Sequence, residues 1–99
     1  MIYYVHVQRA DEAHKELNMQ VQIDRDNQSA GQFIVGQCGK TSAYIWVSNL
    51  GYINVCCNNA SHKAWKASKG RNFFSFDEAL VAYKSEEMKA IIMAAKVGA

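Results

Sequence analysis

The sequence predicts a small α+β fold in which an antiparallel sheet of about four to five strands is packed by a C-terminal amphipathic helical segment broken near Ser85. Three observations lead there. Apolar and polar residues alternate from Leu17 to Asp24, the period of a strand with one dry and one wet face. Short runs rich in β-branched and aromatic residues recur as far as Cys57, separated by breaks containing Gly, Asn and Ser. After Ser75 the apolar period lengthens to that of a helix.

Ile2 to Gln8 reads as a first strand, and Ala10 to Leu17 as two helical turns or a loop. Leu17, Met19, Val21 and Ile23 form the dry face of the second strand, and Asp24 to Gly31 has the composition of a turn region. Gln32 to Cys38 is a third strand, ended by Gly39, Lys40, Thr41 and Ser42. Ala43 to Ser48 and Tyr52 to Cys57 flank Asn49, Leu50 and Gly51, a hairpin connection with glycine where a positive φ is commonly required. Ser61 as a cap and Gly70 just beyond suggest a short helix or turn over Ser61 to Ser68, ahead of Arg71 to Phe74.

Ser75, Phe76, Asp77 and Glu78 match the capping box S-x-x-E: the serine oxygen takes an amide of the first turn and the glutamate returns to the cap amide. Phe76, Ala79, Leu80 and Tyr83 then make one helical stripe, and Met88, Ile91, Ile92 and Ala95, widened by Met93, make another. The step from Tyr83 to Met88 is five residues, so one straight helix cannot keep both stripes in register. A break at Lys84 and Ser85 also places Glu86 and Glu87 in a new first turn, at the positive end of a helix dipole. The second stripe is expected to dock on the sheet.

Ninety-nine residues make a single domain, spanning 1–99, with one core, and 49% apolar with 20% charged residues is ordinary globular composition. No apolar run approaches the roughly 20 residues of a membrane span, and Met1 to Val7 lacks a basic, cleavable leader, so a cytoplasmic protein is expected. Three cysteines, two of them adjacent, do not make a disulfide framework, and the absence of proline excludes PxxP segments.

Residues 27–76 contain no acid, whereas both flanks are slightly negative. Within that acid-free run the bases Lys40, Lys63, Lys66, Lys69 and Arg71 stand among eight of the eleven aromatic residues. Gly36 to Thr41 carries the Gly-Lys-Thr ending of a phosphate loop, but Ile34 stands where the first glycine is required and a strand follows instead of a helix; a glycine-containing turn is the better reading. Cys38, Cys56, Cys57 and His62 lack metal-ligand spacing, since adjacent strand positions face opposite ways. No spacing pairs a cysteine with His6, His14 or His62 for nucleophilic catalysis. No cofactor or metal is therefore expected, and an enzyme is the lesser expectation.

The candidate contact surface is Trp46 with His62, Lys63, Trp65, Lys66, Lys69 and Arg71, continuing into Phe73 and Phe74. Lysine and arginine attract phosphates, and aromatic faces stack on unpaired bases. The competing reading makes the aromatics core and the lysines a solvated turn, and a pI near 8.5 is below that of a dedicated nucleic-acid binder. Nucleic acid or an acidic protein surface is the expected partner, and a homodimer by edge pairing or helix packing a further one. A small-molecule binder or enzyme with a pocket between sheet and helix is the rival class.

Asn59-Ala60-Ser61, Ala64-Trp65, Gly70-Arg71-Asn72-Phe73 and Ser75 to Leu80, leading to Tyr83-Lys84-Ser85, give the run from Gly51 to Ala95 a further meaning. It resembles the C-terminal half of small uncharacterised proteins of phages and integron cassettes. That resemblance implies a mobile-element accessory protein and brings no catalytic residues with it.

Overall fold

The computed structural model describes residues 2–10, 16–58 and 70–97. Six strands, each hydrogen-bonded antiparallel to the next, form one sheet in chain order: β1 (Ile2–Ala10), β2 (Glu16–Gln28), β3 (Gly31–Cys38), β4 (Thr41–Ser48), β5 (Ile53–Asn58) and β6 (Arg71–Phe73). Two helices follow, α1 (Phe76–Ala82) and α2 (Glu86–Val97). The α+β class holds, with one strand more than the alternation indicated. The short Arg71–Phe73 segment pairs with β5 through Ile53↔Phe73 and Val55↔Arg71.

The alternation of Leu17 to Asp24 is the centre of β2, with Val21 and Ile23 fully buried. Two expectations around it are corrected. Ala10 pairs with Glu16 and Arg9 with Leu17, so the ends of the expected helical turns are strand, and the rest of that segment lies outside the described residues. The turn expected over Asp24 to Gly31 shrinks to Ser29 and Ala30, because the strand continues through Asp24↔Val35, Arg25↔Ile34 and Asp26↔Phe33 to Gln28↔Gly31. The physical reason is Arg25, which stands on the core side of the sheet among apolar positions. Its guanidinium donates to Tyr3 Oη (2.9 Å), Gln32 Oε1 (2.6 Å) and the carbonyl of Ala95 (2.9 Å). One charged side chain thus joins β1, β2, β3 and the end of α2.

Gly39, at φ 60°, and Lys40 connect β3 to β4, so Thr41 and Ser42 belong to the strand and not to the turn. Gly51 takes the expected positive φ, 97°, and its amide donates to the Ser48 carbonyl (3.1 Å). Asn49 fastens this turn to the one before it: its amide donates to Ala30 O (3.0 Å) and its side chain to Ser29 O (2.8 Å).

The Ser75 cap forms as the sequence predicts, its Oγ accepting from the Glu78 amide at 3.1 Å. Glu78 reaches one residue further back than a capping box requires, accepting from the Phe74 amide at 3.0 Å. The helix break is present: Tyr83 is extended at φ −106°, ψ 133°, and Ser85 Oγ caps α2 by accepting from the Met88 amide at 3.3 Å. Lys89 Nζ donates to the Leu80 carbonyl at 2.7 Å, closing the end of α1.

Both helices lie on one face of the sheet. Met88, Ile91, Ile92 and Ala95 are buried in the same cluster as Val21, Ile23, Ile34, Ile45 and Val55. Gly36 lets α2 approach: a Cβ there would run into Ile91 Cγ2, so any side chain would make Ile91 or the helix shift. Phe76, Leu80 and Tyr83 of the first stripe pack on the rim of the core. No helix among the described residues is long and apolar enough to cross a membrane.

Candidate functional site

Because the helices cover one face, the register decides what the other face displays. Asp26↔Phe33↔Trp46↔Asn54↔Asn72 is one continuous row across β2 to β6. The adjoining row is Ile2↔Asp24↔Val35↔Tyr44↔Cys56. The flanking positions Ile23, Ile34, Ala43, Ile45, Ile53, Val55 and Phe73 are core, so by alternation both rows stand on the opposite face, which no described helix covers.

This face is rich in aromatic side chains. Phe33 and Tyr44 pack at 5.9 Å between centroids, tilted by 40°. Trp46 is half-buried beside Gly31, where a Cβ would run into the Val47 carbonyl first and would also stand 3.0 Å from the indole Cζ2. Beside the indole lies an open groove of about 590 Å³ lined by Trp46, Tyr52, Asn54, Asn72 and Phe74. Phe74 is 84% exposed and Tyr52 36%. The floor is polar: Asn54 Nδ2 donates to Asn72 Oδ1 at 2.9 Å, fixing the two amides across β5 and β6. Gly70 keeps the floor clear, because a Cβ there would meet Asn54 Oδ1 at 2.6 Å. Among the described residues no carboxylate lines this groove itself, but two acids flank it: Glu78 accepts from the Phe74 amide (3.0 Å), and Asp77 lines the adjoining hollow that shares Tyr52 and Phe74.

Of the residues that the sequence singled out, Trp46 stands on this face and Arg71 does not. Arg71 pairs with the core residue Val55, and its guanidinium stacks over Phe73 (5.4 Å) and Tyr83 (5.5 Å) on the helix side. His62, Lys63, Trp65, Lys66 and Lys69 lie outside the described residues, in the connection between β5 and β6 whose strands carry Asn54 and Asn72. The same holds for the expected Ser61 to Ser68 helix.

No protein-family model, curated protein or solved structure matches this chain.

Tyr52, Asn54 and Asn72 escaped the sequence reading. The signal for Asn54 was present: alternation in Ala43 to Ser48 sends Trp46 away from Ile45 and Val47, and a hairpin at Asn49 to Gly51 sets Asn54 opposite it. Asn72 depended on a three-residue strand that carries too few positions for a period. Elsewhere, burial pushes the thiol pKa of Cys38 up, helped by the Glu87 carboxylate, and burial alone raises that of Cys57. Both therefore stay protonated and weakly nucleophilic at neutral pH. Among the described residues no three His, Cys, Asp or Glu side chains gather as a metal site would need.

Proposed function

We propose that this protein is a non-enzymatic accessory protein that binds single-stranded nucleic acid. Bases stack on Trp46, Tyr52 and Phe74, and the positive charges of Lys63, Lys66 and Lys69 supply attraction to phosphates. The observation that carries the reading is the open aromatic groove with its paired asparagine floor. Aromatic platforms on an exposed sheet suit flat, unpaired bases, and amide groups suit their hydrogen-bonding edges. The groove's open form argues against a small metabolite, which a pocket holds by enclosing most of its surface.

The test is a fluorescence titration with single- and double-stranded oligonucleotides at about 50 and 200 mM salt. Single-stranded binding that falls steeply with salt is expected, and Trp46→Ala or Phe74→Ala should weaken it by about 1–3 kcal/mol, the worth of one base stack. Lys63→Ala, Lys66→Ala and Lys69→Ala should each lower the salt slope by about one. Arg71→Ala should leave affinity unchanged, because Arg71 faces the helix side. A protein partner predicts something else: no binding to either oligonucleotide, and dependence on Leu50, which is 88% exposed beside Tyr52.

A further inference from the structure

The two edges of the sheet differ. β6 is an edge of three residues, whereas β1 runs for nine, and its first seven, Ile2 to Gln8, include no Asp, Glu, Lys, Arg or proline. Edge strands are ordinarily blunted by lysine, proline, a bulge or shortness, and this stretch has none of these. On the uncovered face it also exposes Ile2 (60%) and Tyr4 (62%).

We infer that β1 pairs with β1 of a second copy of this chain, joining two six-stranded sheets into one. An antiparallel pair of identical strands is related by a two-fold axis normal to the sheet, so both helix layers fall on the same side and like faces meet. Centring the axis on Val5 overlaps the whole of this stretch and leaves Arg9 outside it. Val5 then faces its own copy, Tyr3 faces Val7 of the second copy on the core side, and Tyr4 faces His6 of the second copy on the uncovered side. Aromatic with β-branched and aromatic with aromatic are favourable cross-strand pairs, and no like charges oppose one another. A second copy is favoured over a different strand because this stretch is complementary to itself. The unequal edges favour a closed dimer over a chain: β1 against β6 would match nine residues with three. The apolar stripe Met88, Ile91, Ile92 and Ala95 is already buried against the sheet and is not available for helix packing between copies.

Sedimentation equilibrium and light scattering test this, with amide exchange as a second readout. The wild-type protein should weigh twice the 11.1 kDa chain. Tyr4→Lys with His6→Lys sets lysine against lysine twice across the axis and should give monomers that keep the wild-type circular dichroism. Tyr4→Lys with His6→Glu sets lysine against glutamate and should restore the dimer. β1 amides should exchange more slowly as protein concentration rises, a readout that needs no variant. A wild-type monomer at all concentrations, a Lys/Lys variant as dimeric as wild type, or β1 exchange independent of concentration would each overturn the proposal. Oligonucleotide binding by the monomeric variant separates this outcome from the groove's function, since Tyr4 and His6 lie outside the groove.

Discussion

Gly36 shows how much a single position can decide. As sequence it stood in an imperfect phosphate loop; in the structure it is where α2 meets the sheet, with Ile91 Cγ2 filling the place of a Cβ. Gly36→Ala forces Ile91 or the helix to move and is expected to destabilise the fold by about 1–3 kcal/mol, the usual range for overpacking a core. The check is the urea midpoint at unchanged m-value; an unmoved midpoint would mean that Ile91 turns aside without loss. Arg25 teaches the complementary lesson. An arginine within Asp24 to Gln28 reads as turn or surface, because nothing local announces that its five donors will find Tyr3, Gln32 and the carbonyl of Ala95, seventy positions away. Residues whose role is set by near neighbours, such as Ser75 and Gly51, were legible; those whose role is set by a distant backbone were not.

At the scale of elements, periodicity was the dependable signal wherever a segment was long enough to show one. The five-residue step between Tyr83 and Met88 located the helix break, and Ser85 closes it chemically: its Oγ accepts from the Met88 amide and its hydroxyl donates to Glu87 Oε2 at 3.1 Å. Ser85→Ala leaves that amide without its acceptor and is expected to lower stability by about 1 kcal/mol, while Ser85→Asp, another good cap, should retain most of it. Thermal melts of the three proteins decide the point, and equal melting of Ser85→Ala and wild type would assign α2 to packing alone. β2 was under-read at its end because Asp24, Asp26, Asn27 and Gln28 mimic a turn, although ladder pairing to β3 holds them extended. β6 was hidden because three residues cannot show a period of two with any force.

At the scale of the whole molecule, the candidate site is a product of topology. Trp46 was visible as a residue, but its partners reach it across two strand junctions, so only the register places Asn54, Asn72 and Phe74 beside it. The layer that leaves this face uncovered also buries thiols on the other side, and that gives stability a pH dependence of definite sign. Burial raises the pKa of Cys38, with Glu87 adding to it, and raises that of Cys57; burial also lifts Tyr83 against the opposing pull of Arg71. An unfolded chain begins to release its cysteine protons near pH ~8.5, while the native state still holds them. Above that pH the unfolded state binds fewer protons than the native one, so unfolding free energy is full at neutral pH and declines as pH rises through the shifted values. Urea denaturation of the reduced protein from pH 7 to 9.5 should therefore show a falling midpoint, below the range where lysines titrate. Cys38→Ala with Cys57→Ala should flatten that fall whatever the variant's absolute stability, and Glu87→Gln should lessen it by removing the charge that reinforces burial at Cys38. A wild-type midpoint constant across this window would show that both thiols ionise without opening the layer between sheet and helices.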